Sequence, residues 1–396
     1  MLIFQLSQMN LKEIPGMSKK LFKSLWPSFT PKEINQVSSI LKSGKVNYWT
    51  GKYCKIFEKD FSKYHNLKYS VTVNSGTSAL ECAIKSLNLK KGSEIITTPR
   101  SYYTSASSII NCGMIPKFSD VLIESQNLDP IKLIDSINKK TKAIICVHLS
   151  GYPSDMKNIL KIAKKNKIYV IEDCSQAHGA SIFNKKVGSF GDISAWSFCQ
   201  DKIISTGGEG GMVSTNKHEL YKKVLSIKDN GRNYEKIKKM SYTGTFNYIH
   251  DFIGSNYRMT EIQAIIGISQ LKRLDEMILR RNLNAKIFDN YFNDLENIFL
   301  LKNNPNHINA YYRYYLFVKK SKNQKILINR IRSKGIECIA GSCPEIYLEK
   351  YFRENFKFRN MPNAKYLGTR SICLKVDQTI DIKNIELQAK IIRKEI

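Results

Sequence analysis

Four short segments hold residues whose types and spacing could do chemistry. The first is Ser197-Phe198-Cys199-Gln200-Asp201-Lys202, which runs on through Ile203-Ile204 to four glycines at 207, 208, 210 and 211. A lysine between a strand-like apolar run and an apolar pair is poorly placed for a merely solvating side chain. Desolvation and a neighbouring cation would lower its pKa, letting it shed a proton and form an imine. A glycine-rich hairpin with an incidental lysine is the plainer alternative. The second segment is Val170-Ile171-Glu172-Asp173-Cys174-Ser175-Gln176-Ala177-His178. A carboxylate at a strand end can keep a pyridine-type nitrogen protonated, so that the ring draws electrons, and Gln176 could donate to an oxygen of that ring. A helix cap after a strand fits equally well. The third is Val73-Asn74-Ser75-Gly76-Thr77-Ser78, a turn into a helix whose exposed N–H groups could cradle a phosphate, or simply be capped. The fourth, Pro99-Arg100-Ser101-Tyr102-Tyr103-Thr104, offers an aromatic that could stack on a flat ring or pack in the core.

These segments all fall where strand-like runs end. Apolar, β-rich stretches occur at 69–73, 94–98, 115–121, 142–149, 168–173 and 193–198, with helical patterns such as 77–87 and 155–165 between them. That alternation predicts a mainly parallel sheet with crossover helices. The later strands are nearly continuous apolar runs, as expected when both faces are covered. Thr30-Pro31-Lys32-Glu33 reads as a helix cap with proline in the first turn. Beyond residue 217 helical patterns dominate. A long amphipathic stretch from Thr260 to about Leu295 reads as a connector to a smaller unit. The expected division is an irregular arm over 1–30, a large domain over 31–275 and a small C-terminal domain over 276–396.

Composition sets limits. The 396 residues carry 63 Lys+Arg against 34 Asp+Glu, a formal charge of +29. The lysines recur along the whole chain and no stripe interleaves arginine with aromatics, which argues for solvated helix faces over a nucleic-acid surface. A positive surface would still concentrate a polyanionic small substrate. The nine cysteines are scattered without a C-x-x-C pair, which favours buried reduced thiols over disulfides or a metal site. No apolar run approaches the ~20 residues of a membrane span. The start lacks the basic region of a signal peptide, so a cytoplasmic location is expected.

The ordered set of segments resembles the DegT/DnrJ/EryC1/StrS aminotransferases, sugar aminotransferases of the aspartate-aminotransferase-like group. The resemblance runs from Trp26-Pro27 through 47–51 (NYWTG), the Ser-Gly-Thr turn, Asp173-x-x-Gln176-Ala177 and the Lys202 loop with its GGEGGM. It continues to Ser255-Asn256-Tyr257-Arg258-Met259 and, more loosely, to 341–350. It implies an α/β fold of the pyridoxal-phosphate (PLP) fold type I. The expected form is a three-layer large domain with a mainly parallel mixed sheet plus a smaller α+β C-terminal domain.

By the same resemblance, Lys202 is the catalytic residue, carrying PLP as a Schiff base and shuttling the proton between carbon centres. Asp173 is the partner of the ring nitrogen, Gln176 the contact to the ring oxygen and Tyr102 the stacking aromatic. Gly76, Thr77, Ser78 and Ser197 hold the phosphate, joined by Asn256 from the neighbouring subunit of a homodimer. His178 and Arg232 are candidates for touching substrate. Cys174-Ser175 stand where Ala-Ala is more usual, but both are small and the spacing survives. No metal is implied.

The implied reaction is ping-pong transfer of an amino group, from glutamate, to a keto-sugar on a nucleoside diphosphate, for surface polysaccharide or a glycosylated metabolite. Relatives that dehydrate deoxysugars carry histidine where Lys202 stands. A cyclitol ketone as acceptor, and a PLP-fold protein kept as a regulatory module, are the other readings. Retention of Lys202, Asp173 and Gln176 together argues against the regulatory module.

Overall fold

The computed structural model describes residues 24–240 and 246–396; most of the arm expected over 1–30 lies outside them. Helix α1 (Pro31–Ser43) starts where Thr30 predicts. The Thr30 hydroxyl accepts the Glu33 N–H at 3.2 Å, and the Glu33 carboxylate accepts the Thr30 N–H at 2.6 Å. Helix α2 (Tyr53–His65) leads to β1 (Tyr69–Val73), α3 (Gly76–Ser86), β2 (Glu94–Thr97), α4 (Thr104–Asn111) and β3 (Ile115–Phe118). There follow β4 (Thr141–Val147), α5 (Met156–Asn166), β5 (Tyr169–Asp173), β6 (Ile193–Ser197), β7 (Gly211–Thr215) and α6 (His218–Lys228).

The seven strands form one sheet in the order β1-β7-β6-β5-β4-β2-β3. Only β7 runs against the others, pairing antiparallel with both β1 and β6. The remaining pairs are parallel. Alternate residues serve opposite faces, as strand geometry requires. Ile95, Ile145, Ile171, Ala195 and Val213 pack on the side of α3, α4 and α6, while Ile96, Ile144, Val170, Trp196 and Met212 pack on the other. Both faces are therefore dry, and three layers result. The parallel direction brings the carboxyl ends of β1, β2, β5 and β6 to a single edge. β7 was not foreseen: its GMVST run is short and abuts the glycines of the preceding loop.

The stretch from Thr260 departs from expectation. It forms two helices, α7 (Glu261–Lys272) and α8 (Leu274–Phe292), meeting at Arg273, whose φ of −103° and ψ of 2° leave the helical region. Helix α7 is buried on most sides rather than amphipathic, because it packs on both α1 and α2. Arg273 is tied to Glu33 of α1 at 2.9 Å, while α8 turns away towards the C-terminal helix α9 (Ile382–Glu395). Between them lies a second sheet of four short strands, β8 (Ile298–Leu300), β9 (Tyr314–Val318), β10 (Cys338–Ile339) and β11 (Ser371–Leu374), antiparallel in the order β8-β9-β11-β10. Strands of two to five residues leave little periodicity, which is why the sequence after 217 reads as helical. No described helix is long and apolar enough to cross a membrane.

Candidate active site

Asp173 ends β5 and Ser197 ends β6, and the two strands pair in register there, Asp173 opposite Ala195. Strand alternation separates Glu172 from Asp173. Glu172 points into the protein, where its oxygens accept N–H groups of Gly188 (2.7 Å), Phe190 (2.8 Å) and Gly191 (2.6 Å) and approach His148 Nε2 at 3.1 Å. The Ser154 N–H donates to His148 Nδ1, so the proton of that ring sits on Nε2, facing Glu172. His148, Glu172 and Cys174 lie within 4.8 Å of one another in ligand atoms. These bonds occupy the first two, and burial holds the Cys174 thiol well above its ordinary range. The cluster is thus a hydrogen-bonded brace. Asp173 has the other aspect: its Oδ2 accepts from Ser105 Oγ at 2.8 Å and its Oδ1 from the Ser175 N–H at 3.2 Å.

Gln176 is buried, and its Oε1 accepts the N–H of Ser150 at 2.8 Å. That bond fixes the amide, turning its NH₂ away as a donor. Ser150 adopts a left-handed conformation (φ 59°), and its hydroxyl donates to the Arg313 carbonyl at 2.6 Å, linking this edge to the start of β9.

The turn before α3 closes on the end of β6. A Cβ on Gly76 would stand 2.6 Å from Ser197 Cβ, so only glycine lets the turn and Ser197 meet. Gly211, at the exit of the lysine loop, is equally confined: a Cβ there would lie 2.3 Å from the Ser75 carbonyl oxygen. Ser75 caps the helix by accepting the Ser78 N–H at 3.1 Å, and Ser78 Oγ accepts the Ser75 N–H at 3.0 Å. Ser78 Oγ also donates to Asn74 Oδ1 at 2.6 Å. Both polar groups of Ser78 thus serve the cap, while the N–H groups of Gly76 and Thr77 precede it at the helix mouth. Tyr102 projects from the turn after β2, 63% exposed. Asn256 is also exposed; its backbone bridges to Asp229, and the next carbonyl, of Tyr257, accepts the Asn74 N–H at 2.8 Å.

Lys202 lies in the loop between β6 and β7, with its carbonyl accepting Trp26 Nε1–H at 2.7 Å. Its Nζ stands 3.5 Å from Asp201 Oδ1 and 3.5 Å from the Tyr312 hydroxyl, 4.8 Å from that ring's centre. Tyr312 in turn donates to Asp201 Oδ2, and Arg313 Nη2 approaches the same oxygen at 3.7 Å. The expected lowering of the Lys202 pKa is not what this environment produces. Burial does act against the ammonium, but Tyr312 and Asp201 outweigh it and hold the group above the ordinary lysine range. The sequence reading missed both Tyr312 and Arg313, which reach this edge from just before β9.

His178 does not face the site. It is fully buried, 5.5 Å from the Trp196 ring and 5.6 Å from Phe198. Burial, then the charges of His65 and Lys202, push its pKa well down, so it is a neutral core residue and not a substrate contact. Arg232 lies over the Trp49 ring at 5.3 Å and pairs with Asp229 at 3.5 Å; the same carboxylate binds Arg258.

The family model for the DegT/DnrJ/EryC1/StrS aminotransferases matches residues 27–392. The chain belongs to that family. The GDP-perosamine synthase of Escherichia coli O157:H7 is 35% identical to it, over 88% of this chain and 91% of that protein. The crystal structure of an aminotransferase from Psychrobacter cryohalolentis superposes with a TM-score of 0.90 at 39% identity, covering 94% of this chain and 98% of the other. The E. coli GDP-4-keto-6-deoxy-D-mannose-3-dehydratase, solved with hydrated PLP, is also similar: TM-score 0.85, 28% identity, 95% and 99% coverage. The fold is that of the type I PLP enzymes, and this member is a PLP-dependent aminotransferase.

Proposed function

We propose that this aminotransferase moves an amino group from glutamate to a keto-sugar carried on a nucleoside diphosphate, supplying an amino sugar for surface polysaccharide or a glycosylated metabolite. One observation carries the reading of the site: Gly76 packs on Ser197 while Asp173 ends the strand beside it, so the capped turn, the buried carboxylate and the lysine loop share one sheet edge. These residues fit PLP. The N–H groups of Gly76 and Thr77 would hold its phosphate at a helix N-terminus, with the Ser197 hydroxyl and the capped Ser78 closing the turn. Asp173, fixed by two donors, would hold the ring nitrogen, and Gln176, its oxygen spent on Ser150, would donate to the ring oxygen. Tyr102 would cover a ring face, and Lys202 would hold the cofactor through Nζ.

When bound, PLP supplies the electron sink that loosens a carbon-bound hydrogen and carries the amino group between the two substrates. Lys202 Nζ takes that proton and returns it to the neighbouring centre, a transfer that general-base catalysis typically speeds by ~10²–10⁴-fold. Asp201 and Tyr312 hold Nζ in place between those events, with Arg313 on the other oxygen of Asp201. Asn256, exposed beside the turn, would reach the phosphate of a second copy in a homodimer. The nine free cysteines suit a reducing compartment, the cytoplasm.

The likeness to GDP-perosamine synthases and the excess of positive charge support a nucleotide-linked acceptor. Lysine at 202 supports amination over dehydration. A panel of nucleoside-diphosphate keto-sugars with glutamate, read by mass, tests the proposal. Replacement of the keto oxygen by an amine supports it. Loss of water, or amination of a free cyclitol ketone that nucleoside diphosphates do not inhibit, overturns it.

A further inference from the structure

Asp173 is served by a chain of buried hydroxyls that begins in the turn after β2, where residues 343–346 seat on it. Ser105, in the first turn of α4, donates to Asp173 Oδ2 at 2.8 Å, and Ser101 Oγ lies 2.9 Å from Ser105 Oγ. All three residues are buried. A carboxylate can only accept, so the single proton of Ser105 is committed to Asp173, and Ser105 Oγ must accept from Ser101. The chain therefore has one direction, Ser101 to Ser105 to Asp173. Ser101 is anchored from the other side. Its backbone bridges antiparallel to Cys343, and Ile346 N–H donates to the Pro99 carbonyl at 2.9 Å.

We propose that Ser101 and Ser105 are positioning residues: a hydroxyl relay that fixes the Asp173 carboxylate in the orientation a cofactor ring nitrogen needs, and ties it to the seating of residues 343–346 on the Pro99–Ser101 turn. The inference rests on the reading of Asp173 as partner of the PLP ring nitrogen. The terminal torsion of an aspartate is soft, so without a donor on Oδ2 the Ser175 N–H, at 3.2 Å, is the one hydrogen bond left to restrain it among the described residues. A hydrogen bond to a charged group is among the stronger ones, and a chain of donors strengthens its last member. Ser101 acts only through Ser105, so its removal matters less, and nothing further is lost once Ser105 is gone.

The test uses holoenzyme loaded with PLP labelled with nitrogen-15 in the ring, whose chemical shift reports protonation of that nitrogen directly. In Ser105→Ala the signal is expected to move towards unprotonated pyridine, with kcat falling about tenfold to a hundredfold, the range for one hydrogen bond to a charged group. Ser105→Thr, which keeps the hydroxyl, restores both. Ser101→Ala moves the signal the same way by less, and the double variant moves no further than Ser105→Ala. A purely structural serine would lower the melting temperature and leave the nitrogen signal in place. An unmoved signal in Ser105→Ala, with a displaced one in Asp173→Asn, overturns the relay alone. An unmoved signal in Asp173→Asn overturns the reading of Asp173 and the relay with it.

Discussion

The charge on Lys202 before cofactor binds is the sharpest point on which structure and sequence disagree, and Asp201→Asn tests it. Asp201 Oδ1 lies 3.5 Å from Nζ. Unit charges at that separation attract by about 5 kcal/mol at an effective dielectric constant of ~20, and by about 1 kcal/mol in water. The Asp201 side chain is 42% exposed, so solvent places the pair near the lower end, about 1–2 kcal/mol. Removing that attraction raises the neutral fraction of Lys202 about fivefold to thirtyfold at fixed pH. Arg313, left without its carboxylate, pushes in the same direction. Only the neutral amine captures PLP covalently. Capture by wild-type apoenzyme should therefore quicken about tenfold per pH unit through neutrality, without levelling off, and the variant should be faster at each pH with the same slope. Stopped-flow absorbance of apoenzyme mixed with PLP reads both. Equal rates in the two proteins, or a wild-type rate already flat at neutral pH, would refute the argument.

Two further outcomes follow from the packing. In Gly76→Ala the new methyl would stand 2.6 Å from Ser197 Cβ and 2.9 Å from its Oγ. Overpacking costs ~1–3 kcal/mol, so PLP retention on dialysis should weaken about tenfold or more; adding Ser197→Gly should recover the melting temperature but not the retention. Acid should destabilise the fold through its buried histidines: burial pushes His65 down to about 3, and His178 is held well below its ordinary value. Below about pH 6.5 the unfolded chain binds protons that the native one refuses. Stability is therefore lost as pH falls, at about 1.4 kcal/mol per pH unit for each histidine. Thermal melts between pH 6.5 and 5 should show this fall, and His178→Met should remove about half of the histidine share.

The sequence was most legible where chemistry and geometry coincide. Strand ends at Val73, Asp173 and Ser197 could be read from apolar runs and the residues that break them, and parallel order then gathers Gly76, Asp173, Ser197 and Lys202 on one edge. Period-two alternation also separates Glu172 from Asp173, although the pair looks equivalent as text. Contacts made across long separations were not legible. Tyr312 lies 110 residues from Lys202 in a run of tyrosines where none stands out, and together with Asp201 it holds the lysine above its ordinary range. Ser105 is one small residue in a helix of small residues until its hydroxyl is seen on Asp173. His178 looked available because it follows the carboxylate segment, yet it falls inside the aromatic core behind the sheet edge.

The central claim is that Lys202, and no other lysine, holds the cofactor. Borohydride reduction of the holoenzyme, followed by digestion and peptide mass spectrometry, tests it directly. The pyridoxyl group should be found on the peptide containing Lys202 and should be absent from a Lys202→Ala protein treated in the same way. A label on any other lysine, or a Lys202→Ala protein that still carries reducible PLP and transaminates normally, would contradict the account.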